Sequence, residues 1–239
     1  MTRFEPVPAS LRRVAAEFVG SALLATVVIG SGIAAHQLSA DVGLQLLENA
    51  LVTALGLTVL ILVFASVSGA QFNPAVTLVD VLLGHRRRGD LALYLPAQIA
   101  GCIAGAVLAN AMFGLTAVSW STTDRLTVPH LLAEVVATAG LVLVIFALVR
   151  TGRGALVGPA VGAYIGAAYF FTSSTSFANP AITIGRMFSD TFAGIAPSSA
   201  PGYVAAQLVG AIVGWLAVRA FFPETTTATT GRSGASASS

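Results

Sequence analysis

Two copies of one tripeptide, Asn73-Pro74-Ala75 and Asn179-Pro180-Ala181, carry the chemistry open to this chain. Asn is a favoured helix N-cap, because its side-chain oxygen accepts the unpaired N–H groups of a first turn. Pro at the first helical position gives up no intrahelical hydrogen bond and arrives with its φ already set. Each tripeptide therefore predicts the start of a helix, and each opens an apolar stretch too short to span a membrane. If each Asn spends its oxygen on its own helix, its amide nitrogen is left to donate to another acceptor oxygen. That is recognition without bond making. An intramembrane enzyme has little support. No nucleophile–base pair, paired aspartates or metal-ligand cluster is apparent, His36, His85 and His130 lie far apart, and Ser176 has no identifiable base. No cofactor and no metal are expected.

Two carboxylates, Glu17 and Glu134, fall inside apolar segments. Ionisable groups are costly there and functional by default. One reading is a proton relay in a coupled transporter. The other is a brace, accepting the backbone N–H groups of the irregular loops that lead into the short helices, which otherwise lack partners in hydrocarbon. One carboxylate per loop, at matching places, favours the brace.

The elements that must hold these residues follow from composition. The chain has 239 residues, 56% hydrophobic and 9% charged, with a mean hydropathy of +0.85. A soluble domain carries about 25% charged residues, so an integral membrane protein is expected. Six apolar segments reach spanning length, at roughly 12–35, 46–66, 91–113, 130–150, 155–173 and 202–222. All twelve basic residues are Arg. Ten of them fall at the N-terminus, between segments two and three, between four and five, or in the tail, and only Arg125 and Arg186 fall elsewhere. By the positive-inside rule both termini are cytoplasmic, in what the composition suggests is a bacterial inner (plasma) membrane. The run His85-Arg86-Arg87-Arg88 reads as a topology determinant, so no nucleic acid partner is expected. The lone Cys102, among small residues, reads as packing.

The second half repeats the first. Ala16-Glu17 matches Ala133-Glu134, the two tripeptides match, and Gln98 with Gly101 and Gly105 matches Gln207 with Gly210 and Gly214. Three spans per half is odd, so the halves insert in opposite senses about an axis in the membrane plane. The two short helices then enter from opposite faces and meet near the middle. The expected organisation is a cytoplasmic N-terminus at 1–10, a first repeat at 11–113, an extracellular connection at 114–128, a second repeat at 129–222 and a disordered cytoplasmic tail at 223–239. The paired glycines are expected to let helix backbones approach closely.

Ser68-Gly69-Ala70-Gln71-Phe72-Asn73-Pro74-Ala75-Val76-Thr77 and Ser176-Phe177-Ala178-Asn179-Pro180-Ala181 resemble the two signature loops of the aquaporin (major intrinsic protein) family. The resemblance covers about residues 11–222. It implies an all-α membrane protein, a right-handed bundle of six transmembrane helices plus two half-helices, assembled as a homotetramer in lipid with a pore in each subunit. It also implies passive conduction of water or small neutral solutes. Helix N-termini carry about +0.5 elementary charge, so two meeting mid-membrane repel cations and protons while a neutral molecule passes.

The chain departs from the family pattern at the constriction. Most members carry Arg directly after the second Asn-Pro-Ala, and here that residue is Ile182. By spacing, the other constriction positions fall at Ser176, Ala167 and Leu55, the last by matching Gly56-Leu57-Thr58; rigid counting from Asn73 gives Thr53 instead. The set Leu55, Ala167, Ser176 and Ile182 has no Arg, no His and no aromatic ring. It predicts a wide, weakly polar filter that admits glycerol-like polyols, urea, or metalloid hydroxides such as arsenous acid. The second loop is similar to that of bacterial aquaporin-like proteins linked to arsenic handling. Arg186 offers a rival account, since it faces the same side of the half-helix as Asn179. It forms either a vestibule ion pair with Asp190 or a displaced selectivity arginine in a water-selective pore. A proton-coupled transporter is the remaining alternative. Gln71 stands where His is common, which puts pH gating through that position in doubt.

Overall fold

The computed structural model describes residues 8–223, so the tail expected to be disordered lies almost wholly outside the described residues. Six helices are long and apolar enough to cross a membrane: α1 (Ala9–Leu38), α2 (Val42–Ser68), α4 (Arg88–Met112), α5 (Val128–Arg150), α6 (Val157–Phe171) and α8 (Ala200–Phe221). A 3₁₀ turn at Gly154–Leu156 leads into α6. Two short helices, α3 (Pro74–Leu82) and α7 (Pro180–Arg186), begin at the second residue of each tripeptide. No strand occurs among the described residues.

Local chemistry sets several ends. Asp41 caps α2 by accepting the Leu44 N–H at 2.8 Å. Thr127 caps α5 by accepting the His130 N–H, with Pro129 in the first turn. Gly69, at φ 92°, turns the chain out of α2 in the left-handed conformation that glycine adopts without a Cβ clash. The α1 helix has 30 residues, about 45 Å at 1.5 Å per residue. That exceeds the ~30 Å of hydrocarbon and lets its ends project into the interfaces.

The repeat is visible in packing. α1 lies against α4, and α5 against α8, as equivalent pairs. A Cβ added at Gly101 or Gly105 would overlap the α1 carbonyls of Phe18 or Ala22, and one added at Gly210 or Gly214 would crowd α5 at Val135 or at Ala139 and Val142. Close backbone approach is what these positions require. α2 and α6 pack on each other and complete the bundle. Their outward faces carry exposed apolar side chains, among them Leu51, Leu62 and Phe170.

Six spans place the start of α1 and the end of α8 on one face, the terminal face. The loop before α3 dips in from that face, and the loop before α7 from the opposite one. On the opposite face the 113–127 connection folds over 187–199. Ser121 N–H donates to Met187 O at 2.9 Å, Ala196 N–H to Thr123 O at 2.7 Å, and Trp120 stacks on Phe188 at 4.6 Å.

Candidate functional site

The two tripeptides meet. Asn73 Oδ1 accepts the Ala75 N–H at 2.9 Å, and Asn179 Oδ1 accepts those of Ala181 at 2.9 Å and Ile182 at 3.3 Å. The amide nitrogens then cross the junction. Asn73 Nδ2 donates to Ala178 O and Asn179 Nδ2 to Phe72 O, both at 2.8 Å. Each Asn therefore caps its own helix and ties that helix to the other loop. One N–H of each amide remains for a solute.

The loops need this support. Ala70, Phe72, Thr175, Ser176 and Ala178 all sit at positive φ, between 47° and 61°. Left-handed backbone at non-glycine residues costs of order 1–3 kcal/mol each and persists only where the surroundings over-determine it. Glu17 and Glu134 supply that determination. Glu17 accepts from the Ser68 hydroxyl at 2.5 Å, Gln71 N–H at 3.1 Å, Phe72 N–H at 2.8 Å and Gln98 Nε2 at 2.8 Å. Glu134 accepts from the Ser174 hydroxyl at 2.6 Å, Phe177 N–H and Ala178 N–H at 2.9 Å and Gln207 Nε2 at 2.6 Å. Both carboxylates are fully buried, and each spends its oxygens on the same four kinds of donor. Gln98 and Gln207 also donate to the half-helix hydroxyls of Thr77 and Thr183. Sequence matching had paired these glutamines only as landmarks of the repeat, without a role.

A cavity of about 370 Å³ runs past both Asn side chains. Its walls are largely aliphatic, with Val28, Leu57, Ile61, Leu141 and Ile145 among them. Towards the opposite face it is lined by Thr53, Tyr169, Ser176, Phe177, Ile182 and Arg186. Ser176 and Ile182, expected at the constriction, both line this part of the cavity.

Two expected constriction residues are elsewhere. Leu55 is 60% exposed on the outer face of α2 and does not line the cavity, whereas Thr53 is buried and does. Two helical positions are 200° apart, so matching the Gly56-Leu57-Thr58 pattern chose the wrong face and rigid counting the right one. Ala167 is exposed, and its place is taken by Ile165 and Tyr169, one turn apart and both lining the cavity. Because α6 runs unbroken to Phe171, its phase turns 165 and 169 inward and 167 out. The Tyr169 hydroxyl lies 3.2 Å from that of Thr53. The expectation of a constriction without an aromatic ring is overturned by Tyr169 and Phe177.

The Arg186–Asp190 pair is not formed. Asp190 accepts the Thr122 N–H at 2.9 Å and the Thr122 hydroxyl at 3.1 Å. Arg186 is buried, donates through Nε to Ala193 O, and lays its guanidinium 3.4 Å from the centre of the Phe177 ring. The chain leaves α7 directly after Arg186, so the helical i,i+4 spacing that would have joined the two side chains does not continue to 190.

At the terminal face a second polar cluster closes round Asp80 of α3. It accepts from Arg86 Nε at 2.6 Å and Gln71 Nε2 at 2.5 Å, and lies 3.1 Å from His85 Nδ1. Arg86 also reaches the Tyr94 hydroxyl at 3.0 Å and Ser68 O at 2.5 Å. Burial opposes the Arg86 charge, but Tyr94 and Asp80 outweigh it and hold the guanidinium pKa above its ordinary value. One member of the basic run is therefore a strut at the pore mouth, which its position in a charge run concealed.

A continuous cavity along the junction of two inverted halves, with amide donors at its midpoint, defines a membrane channel. The profile of the family described as Major intrinsic protein matches residues 6–177 and 160–238. The chain is 48% identical over 201 residues to the aquaglyceroporin AqpS of Rhizobium meliloti (strain 1021), covering 84% of this chain and 86% of that one. It is 30% identical over 231 residues to a glycerol uptake facilitator protein of Pseudomonas aeruginosa, covering 84% and 82%. In fold it is similar to the aquaglyceroporin from Plasmodium falciparum, with a TM-score of 0.72 at 21% identity, covering 87% and 95%. The chain belongs to the major intrinsic protein family. It is a passive channel and not an enzyme.

Proposed function

We propose that this chain conducts water and small uncharged solutes down their gradients, and that glycerol and metalloid hydroxides such as arsenous acid fall within its range. The observation that carries this reading is Ile182. It lines the cavity directly after the second Asn-Pro-Ala, so an aliphatic side chain stands where most members have Arg. An aliphatic residue there gives up a charge and a fork of donors, leaving that stretch of the wall weakly interacting. The names of the relatives, an aquaglyceroporin and a glycerol uptake facilitator, support water and glycerol within that range. The opposed N-termini of α3 and α7 disfavour cations and protons at the midpoint. Glu17 and Glu134, with all their oxygens engaged, are poor candidates for a proton relay.

The working form we propose is a homotetramer in lipid, in a bacterial plasma membrane, with both termini cytoplasmic. The Arg distribution and the exposed apolar faces support that placement.

The test is stopped-flow light scattering on proteoliposomes, reading water, glycerol and arsenous acid permeability in one preparation. Solute flux well above empty liposomes is expected, with Ile182→Arg lowering solute flux at least several-fold. Fast water without solute flux, or an unchanged Ile182→Arg variant, would overturn the reading.

A further inference from the structure

Arg186 is the charged side chain that the channel reading leaves unused. It is 2% exposed and lines the cavity. Its Nε is committed to Ala193 O. Its two terminal nitrogens have no hydrogen-bond partner among the described residues. Among the described residues no ion pair reaches it either. Asp190 is held by Thr122, and Glu134, which attracts it electrostatically, has its oxygens filled by four other donors.

A buried cation without a carboxylate partner is costly, and this one is carefully held. Phe177 offers its ring face at 3.4 Å. Arg125 approaches the same ring at 5.5 Å and is itself tied to Gly194 O at 2.8 Å and Phe192 O at 3.2 Å. Arg125 thereby pins the 192–194 segment whose Ala193 carbonyl fixes Arg186 Nε. The guanidinium also stands in the last turn of α7, where the helix dipole favours a positive charge.

We infer that Arg186 is a specificity-determining residue of this pore: its two terminal amino groups donate as a fork to a pair of solute oxygens, and its charge turns cations away. The inference rests on the channel reading. It assigns to Arg186, one helical turn beyond Ile182, both the positive charge and the donor pair that Ile182 lacks. The fork geometry matches two oxygens side by side, as in a vicinal diol or two hydroxyls on one metalloid atom. A solute with a single acceptor oxygen, such as urea, engages it less well.

The experiment compares glycerol, urea and water permeability, and sodium leak, in proteoliposomes of the wild type, Arg186→Lys and Arg186→Leu. The wild type is expected to pass glycerol several-fold faster than urea and to be tight to sodium. Arg186→Lys keeps the charge and loses the fork. It should bring the glycerol-to-urea ratio towards one and stay tight. Arg186→Leu should lose the ratio and leak sodium above the wild type. A thermal unfolding midpoint within a few degrees of wild type in each variant reports an intact fold. A wild-type ratio near one would overturn the inference without any variant. So would an unchanged ratio in both variants. A wild type that passes no solute and no water would instead overturn the channel reading itself.

Discussion

Replacing Glu134 by Gln separates a brace from a relay. The carboxylate Oε1 accepts from Ser174 and Phe177 N–H, and Oε2 from Ala178 N–H and Gln207 Nε2. A glutamine keeps one oxygen and turns the other into an NH₂ donor. That donor would face two donors, so the Ala178 N–H and the Gln207 amide both lose their acceptor. Each unsatisfied buried group costs about 1–3 kcal/mol, so Glu134→Gln should destabilise by about 2–6 kcal/mol. In a chain of this size 1 kcal/mol moves Tm by about 2–4 °C, which puts the fall at about 4 °C or more. The assay is thermal unfolding of the detergent-solubilised protein by intrinsic fluorescence, with water flux read at about 15 °C after the same protein is reconstituted into liposomes. A brace predicts a lowered Tm, with flux surviving in the molecules that remain folded. Glu17→Gln should act alike, because Glu17 holds the equivalent set of donors. Lost flux at an unchanged Tm would refute the argument and bring back the relay.

The remaining predictions concern the wall and the mouth. Thr53→Trp should cut glycerol flux at least tenfold, whereas Leu55→Trp, on the outer face, should leave it within twofold of wild type; stopped-flow glycerol permeability distinguishes them. Arg86→Ala removes one partner of the Asp80 ion pair and takes a donor from Ser68 O and the Tyr94 hydroxyl, which still bond each other at 3.0 Å, and should lower stability by about 3 kcal/mol. Denaturant or thermal unfolding reads that loss, and an unchanged midpoint would mean that the pair is dispensable.

Much of this architecture was legible because symmetry repeated each signal. Asn-Pro-Ala twice, Glu twice and Gln-x-x-Gly twice, in the same order, left an inverted repeat as the economical solution, and the half-helices begin at Pro74 and Pro180. What misled was helix phase. Leu55 follows from matching the Gly56-Leu57-Thr58 pattern and Ala167 from counting back from Asn179, yet a two-residue error rotates a side chain by 200° and exchanges lipid for lumen. The signal available for Tyr169 was its polar tip in the apolar α6, since buried tyrosines seek a partner, here Thr53. The Arg186–Asp190 pair failed for a different reason. Spacing of four promises contact only if the helix continues, and no proline or glycine directly after Arg186 marks the end of α7 there.

The crossed bonds of Asn73 and Asn179 join stability to conduction. An N-cap needs only the side-chain oxygen, so capping alone would leave the amide free to rotate out of the lumen. Donation of one N–H to the carbonyl of the opposite loop fixes the amide plane, and with it the direction of the second N–H. Those carbonyls belong to Phe72 and Ala178, which are held at positive φ by the N–H bonds that Glu17 and Glu134 accept. The chain of dependence runs from a buried carboxylate, through a left-handed residue and its carbonyl, to the donor a solute meets. Each half orients the donor of the other, so a lesion in either loop should disturb both Asn side chains. Preorganised donors of this kind need no rearrangement as each molecule passes, which suits a conduit that must bind weakly and release at once.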